Sequence, residues 1–150
     1  WDVSSQDRGY YLFDEPQKKF ALQPDIVLKK DTKTVIMDTK WKRLFNNKNK
    51  NYGISQGDMY QMYAYSKKYN TSETWLIYPI NDDVKNLNIG FKSNDNTNVH
   101  VFFVDLGNIE KSIDKLVSML SRKAIIVNKI GPQQCEPIIF CMKGKHRTRW

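Results

Sequence analysis

Two aspartates and a lysine stand at spacings that suit metal-assisted chemistry. Asp25 follows Pro24, and Asp38 and Lys40 flank Thr39 in an Asp-x-Lys triplet. Successive side chains of a β-strand point to opposite faces, so Asp38 and Lys40 would share one face of a strand. The plain alternative is an exposed ion pair that contributes little to stability. That alternative leaves Asp25 unexplained.

Two strands joined by a short turn would position these residues. Residues 20–29 and 34–41 are rich in β-branched and apolar types. The polar stretch 30–33 between them suits a turn. The pattern therefore predicts a β-hairpin.

The length of the turn determines which residues face each other across the hairpin. A loop of two or four residues centred between Asp31 and Thr32 would place Asp25 opposite Asp38, with Cβ atoms about 4.5–5.5 Å apart. An odd loop would shift this pairing by one residue. Two ionised carboxylates at that distance repel each other unless a cation lies between them. Mg²⁺ or Mn²⁺, which prefer oxygen ligands, would remove the conflict.

Lys40 would complete a centre for phosphodiester hydrolysis. That reaction needs an activated water molecule and compensation for the negative charge that develops on the phosphate. A metal ion with an adjacent ammonium group can supply both. Two roles for Lys40 stay open here: removal of the proton from the water, and orientation of the water.

A helix predicted from Ser55 through Tyr69 adds further polar groups. Ser55 and Asp58 have the spacing of a capping box. Asp58, Gln61 and Tyr65 would share one helix face. We expect Gln61 to point toward the hairpin, where a neutral amide suits a phosphate or a metal-bound water. An ordinary amphipathic surface is the alternative.

The rest of the chain predicts an α/β domain. Strands are predicted over 73–78 and 99–105, and a second helix over 108–122. Asn70 is the expected C-cap of the first helix. The first helix is dense in aromatic residues, and the members expected in the core are Met59, Met62 and Tyr63.

Length and composition limit the function classes. With 150 residues the chain matches one ordinary domain. It has no apolar run near the roughly 18 residues needed to cross a bilayer, so a membrane role is not expected. The net charge of +8 favours a polyanionic partner, nucleic acid before acidic lipid. Cys135 and Cys141 form no CxxC motif, and a zinc site or a disulfide framework is poorly supported.

A cationic segment follows the Asp-x-Lys triplet. Lys42, Arg43, Lys48 and Lys50 lie in a stretch without any acidic residue, part of it an Asn- and Lys-rich segment expected to form a mobile, exposed loop. Such a segment suits contacts with a phosphate backbone. A solvated loop that keeps the protein soluble is the alternative.

The order of these motifs resembles the PD-(D/E)xK nuclease superfamily. Pro24-Asp25, the triplet 38–40 and Gln61-x-x-x-Tyr65 follow its motif order, and the last is similar to its RecB-like branch. The sequence of these segments more closely resembles the nuclease domain of the McrC family, a subunit of modification-dependent restriction systems. The segments that carry this resemblance are LQPDIVL, VIMDTKWK, ISQGDMYQMYAYSKKY and WLIYP, with VFFVDL as a weaker match.

The resemblance implies a restriction-endonuclease-like α/β core: a central mixed sheet of about four or five strands flanked by helices. It implies a Mg²⁺-dependent DNA endonuclease, with Mn²⁺ as a substitute metal. Asp25 and Asp38 would bind the metal, with the main-chain carbonyl of Thr39 as a further ligand. Lys40 would be the catalytic lysine. The supporting residues would be Gln61 and Tyr65.

The resemblance also implies a partner and a missing part. An AAA+ GTPase of the McrB type would recognise modified DNA in the prokaryotic cytoplasm, as part of antiphage defence, and a McrC N-terminal region would dock on it. That region has no counterpart here, and the chain begins with Trp1, so we expect a fragment of a longer protein. Residues 1–127 would be the nuclease domain, truncated at its N-terminus, and 128–150 a basic extension of unknown role. Many superfamily members carry a glutamate on an earlier helix, for which only Glu15 is offered, in a poor context.

Two functions are alternatives to the endonuclease. A RecB-like exonuclease or repair nuclease would cut only from DNA ends. A nuclease-fold module could instead bind DNA or a partner without cutting. Intact Asp25, Asp38 and Lys40 argue against the binding module, which would not need all three.

Overall fold

A computed structural model describes residues 1–123 of the chain. The predicted domain boundary at residue 127, the extension 128–150 and both cysteines lie outside the described residues. The elements within 1–123 are β1 (Asp2–Ser5), β2 (Tyr11–Phe13), β3 (Lys19–Ala21), β4 (Ile26–Lys30), β5 (Lys33–Thr39), α1 (Gln56–Lys68), β6 (Glu73–Pro79), β7 (Gly90–Lys92), β8 (Asn98–Val104) and α2 (Ile109–Lys123).

Six of the strands form one mixed sheet in the order β1-β4-β5-β6-β8-β7. β4 pairs antiparallel with β1 and β5, whereas β6 lies parallel to both β5 and β8. The predicted α/β class with a central mixed sheet is confirmed, with six strands in place of four or five. The additional strands β1 and β7 are short edge strands. β2 and β3 form a separate two-stranded sheet.

The two helices cover opposite faces of the sheet, because apolar side chains alternate along the strands. One buried cluster joins Met62 and Tyr65 of α1 to the sheet. A second joins Ile113 and Leu116 of α2 to the other face. The sheet residues facing α1 include Val27, Ile36, Leu76, Tyr78 and Val101, and those facing α2 include Ile26, Leu28, Met37, Trp75, Ile77 and Phe102.

The β4–β5 hairpin has a two-residue turn, one of the two lengths that place Asp25 opposite Asp38. Its register pairs Ile26 with Met37 and Lys30 with Lys33, leaving two residues between the strands. Asp31 adopts a left-handed conformation with φ 52°, which aspartate tolerates in turns. The strand expected over 20–29 was wrong in its first part. That stretch divides into β3 and β4 on either side of Pro24, which has no N–H to donate to a ladder.

Helix α1 begins as its capping spacing predicts. The Ser55 side chain accepts a hydrogen bond from the Asp58 N–H at 3.1 Å. The C-cap is Tyr69 rather than Asn70, which takes the left-handed position that follows, with φ 49°. Met62 lies in the core as expected, but Tyr63 is exposed, and its hydroxyl donates to Asp95 at 2.6 Å. The prediction that Tyr63 is a core residue was therefore wrong.

No helix within residues 1–123 combines the length and the apolar character needed to span a membrane.

Candidate active site

The first aspartate joins the ends of the two hairpin strands. Asp25 lies immediately before β4, and its Oδ2 accepts hydrogen bonds from both the N–H and the hydroxyl of Thr39, each at 2.7 Å. Thr39 is the last residue of β5. The Asp25 side chain is buried, and two donors to one oxygen offset the cost of that burial. Continuing the β4–β5 register by one residue places Asp25 opposite Asp38.

The second aspartate forms an ion pair with the lysine two residues further on. The Lys40 Nζ lies 2.8 Å from Asp38 Oδ2, and only 4% of the Asp38 side chain is exposed. The Lys40 N–H donates to the carbonyl of Ile77 at 2.8 Å, which holds the backbone beside β6 just after β5 ends. Asp38 and Lys40 therefore share a face of the sheet, as strand alternation predicts.

The Lys40 ammonium lies among three oxygen atoms. Besides Asp38, it contacts Gln61 Oε1 at 2.7 Å and Asp58 Oδ1 at 3.4 Å. An ammonium has three N–H donors, so each can be assigned one acceptor. Burial lowers the pKa of Lys40, but the hydrogen bond and charge of Asp38, with the charge of Asp58, raise it above its usual value. Lys40 is thus a cation at neutral pH, which suits orientation of water or phosphate better than removal of a proton.

Helix α1 supplies the neutral part of the site. Gln61 points toward the hairpin as expected, and its Nε2 donates to the hydroxyl of Tyr65 at 3.0 Å. Tyr65 is fully buried. Burial and the charges of Asp38 and Asp25 raise the pKa of Tyr65 above its usual value. Tyr65 therefore keeps its proton and fixes the orientation of the Gln61 amide.

Asp58 also belongs to this site, although the sequence pattern indicated for it only a capping position and a place on the same helix face as Gln61. Its carboxylate lies between two lysines, with Oδ1 3.4 Å from Lys40 Nζ and Oδ2 3.8 Å from Lys42 Nζ. The Tyr78 hydroxyl donates to Oδ2 at 3.5 Å. Burial raises the pKa of Asp58, but the hydrogen bond with Ser55 and the charges of both lysines lower it below its usual value. The shared helix face of Asp58 and Gln61 was the signal that could have identified it.

The donor set fits a hard divalent cation. Asp25 and Asp38 bring two carboxylates to the adjoining ends of β4 and β5. Within residues 1–123, no group of three or more His, Cys, Asp or Glu side chains is arranged to hold a metal. Mg²⁺ commonly uses one or two carboxylates and takes its other ligands from water and substrate phosphate. Asp25 and Asp38 match that smaller set.

The cationic residues occupy different positions. Lys42 contacts Asp58, whereas Arg43 is exposed. Lys48 and Lys50 are exposed in a short 3₁₀ segment, Lys48–Gly53, in which the Asn47 side chain accepts from the Lys50 N–H at 3.2 Å. The expected loop is thus exposed but contains a turn of its own. The structure brings Lys42 to Asp58 and places Lys48 and Lys50 on the surface.

Glu15 does not occupy a helix. It is exposed between β2 and β3. Glu15 is therefore not the helical glutamate that the resemblance led us to look for.

A mixed α/β sheet with two buried aspartates and a lysine at the end of its central hairpin is compatible with a nuclease-like core. The family model for the McrBC 5-methylcytosine restriction system component matches residues 1–79. The chain belongs to this family and is a restriction system component, which confirms the resemblance to McrC. The match includes both aspartates, Lys40 and helix α1. No curated protein matches the chain.

Proposed function

We propose that this chain is the nuclease component of its restriction system, a Mg²⁺-dependent endonuclease that hydrolyses DNA phosphodiester bonds. The observation that supports this most is the convergence of Asp25, Asp38 and Lys40 at the adjoining ends of β4 and β5. Both carboxylates are buried, and the ammonium lies 2.8 Å from Asp38. A surface ion pair does not require a second buried aspartate opposite the first.

Asp25 and Asp38 would hold Mg²⁺ or Mn²⁺, with the main-chain carbonyl of Thr39 as a further ligand. When bound, the ion compensates charge on the phosphate and lowers the pKa of water. Lys40 stays protonated beside Asp38 and donates to the attacking water or to a phosphate oxygen. Gln61 accepts from Lys40 and is itself oriented by Tyr65. These residues thus position the ammonium before the substrate arrives.

The partners of this site would be DNA and an AAA+ GTPase of the McrB type. In this proposal the GTPase selects modified DNA in the prokaryotic cytoplasm, and this chain cuts it. The net charge of +8 supports a polyanionic substrate.

The exposed cations Lys48 and Lys50 are proposed to contact the phosphate backbone. Replacing both by glutamine is expected to weaken DNA binding and to make the slope of log K against log salt shallower by about 0.9 for each lost contact. Fluorescence anisotropy with a labelled duplex over a range of salt concentrations measures this. The matched control is the pair Lys111→Gln and Lys115→Gln on α2, which removes the same charge from the opposite face. Equal slopes for both double variants would limit the segment to a role in solubility.

A comparison of circular with linear DNA tests the proposed endonuclease against an exonuclease. The chain is incubated with Mg²⁺ and either covalently closed plasmid or the same plasmid linearised. An endonuclease converts the closed circle to nicked and linear forms, whereas a RecB-like exonuclease degrades only the linear DNA. Binding of both substrates without any strand break would favour the non-cleaving module.

A further inference from the structure

Helix α1 carries a third carboxylate, that of Asp58, which forms ion pairs with two lysines. Asp58 Oδ1 lies 3.4 Å from the Lys40 Nζ, and its side chain is only 18% exposed. Its other oxygen faces Lys42 and the Tyr78 hydroxyl. No part of the proposed chemistry so far uses this residue.

Asp58 is one of three residues whose oxygen atoms surround the Lys40 ammonium. Asp38 and Gln61 bind the ammonium at 2.8 and 2.7 Å, and Asp58 supplies the third oxygen at a longer distance. Asp38 approaches from β5, which ends just before Lys40, whereas Asp58 and Gln61 approach from α1. A lysine side chain has many rotamers and is strongly hydrated, so acceptors on two elements restrict it far more than one.

We propose that Asp58 is a positioning residue that holds the Lys40 ammonium at the site, between strand β5 and helix α1. The inference rests on the proposed function, because it assigns Asp58 a role in the same centre. The 3.4 Å contact is the longest of the three to Lys40, so Asp58 holds the ammonium mainly by charge and leaves one N–H able to turn to an incoming phosphate oxygen.

Asp58 can be replaced by asparagine without loss of its main-chain hydrogen bond. Ser55 is the N-cap of α1 and bonds to the Asp58 main-chain N–H, which an asparagine retains. Asp58→Asn therefore removes the charge with little change in shape. Asp58→Glu restores the charge. Asp95→Asn is the matched control, because Asp95 also forms an ion pair with a lysine of α1, Lys67, on an exposed part of the helix.

Two measurements on the same proteins test the inference. In plasmid cleavage with Mg²⁺, Asp58→Asn is expected to lower kcat by about tenfold or more with KM nearly unchanged, because misplacing a reacting group affects the transition state. Asp58→Glu is expected to recover part of that loss, and Asp95→Asn to cut at the parent rate. In ¹⁵N side-chain NMR, the Lys40 ammonium signal, identified by its loss in Lys40→Ala, is expected to exchange with water several times faster in Asp58→Asn.

The two measurements separate this inference from the proposed function. A parent that cuts DNA and an Asp58→Asn variant with unchanged kcat and ammonium exchange would overturn the role of Asp58 alone. If the parent cuts no DNA but the Lys40 ammonium exchanges faster in Asp58→Asn, the role of Asp58 in holding Lys40 is supported and the proposed nuclease activity is overturned. A higher kcat in Asp58→Asn would also overturn the inference, since Asp58 would then oppose the reaction.

Discussion

Lys40→Ala is expected to lower DNA cleavage by about 10²–10³-fold, the usual effect of removing one donor that stabilises charge in a transition state. DNA binding is expected to change little, because the surface cations Lys48 and Lys50 remain. A cleavage time course on closed plasmid, with anisotropy for binding, measures both quantities.

The fold of Lys40→Ala must be checked in parallel. The substitution removes the ammonium from a buried carboxylate, but 21% of the Lys40 side chain is exposed, so water can solvate Asp38 in its place. We expect the far-UV circular dichroism spectrum to be retained. Lys115→Ala, on the exposed side of α2, is the control for loss of one positive charge. Cleavage by Lys40→Ala at the parent rate would show that the lysine has no part in the reaction.

The second large effect is expected from the two aspartates. In the parent, Mn²⁺ or Mg²⁺ at about 100 times its Kd should raise the free energy of unfolding by about 2.7 kcal/mol. Asp25→Asn and Asp38→Asn are each expected to lose most of this stabilisation, and cleavage with it. Asparagine at position 25 keeps an oxygen that can accept from the Thr39 N–H and hydroxyl. Thermal unfolding with and without metal measures the difference.

Asp114→Asn is the matched control for these variants. Asp114 is exposed on α2, on the opposite face of the sheet from the aspartate pair. We expect this variant to keep the full metal-dependent stabilisation. An equal loss in Asp114→Asn would indicate a general charge effect, and an unchanged metal response in Asp38→Asn would contradict the proposed metal site.

The hairpin could be predicted from the sequence because its determinants are local. Apolar strands flank a polar turn, and the turn length alone decides that Asp25 faces Asp38. The same locality explains the correct start of α1, where Ser55 caps the helix. The C-terminal limit of α1 is off by one residue because Tyr69 and Asn70 both lie in the transition out of the helix.

The two edge strands could not be predicted in this way. β1 has four residues and pairs with the distant β4, and β7 has three residues and pairs with the nearby β8, so neither is long enough to show a reliable alternation. Tyr63 was misjudged because an aromatic residue on a helix can cover the surface and bond to a loop, as it does with Asp95.

The contact of Asp58 with Lys40 also could not be predicted from local sequence. It joins a helix to a strand end, and helical spacing shows only which face Asp58 occupies. The distance between that face and the hairpin depends on how α1 packs on the sheet through Met62 and Tyr65. Sequence periodicity could therefore predict which helix face Asp58 occupies, but it could not predict that Asp58 contacts Lys40.

The most direct test of the central claim is a nicking time course of the chain on covalently closed plasmid, with Mg²⁺ in one series and EDTA in the other. We predict nicked circles that accumulate with Mg²⁺ only and that DNA ligase can reseal, as expected for hydrolysis of phosphodiester bonds at intact nucleotides. Strand breaks of equal rate in EDTA, or no break by a chain that binds both metal and DNA, would contradict the assignment of Asp25, Asp38 and Lys40 as a metal-dependent nuclease centre.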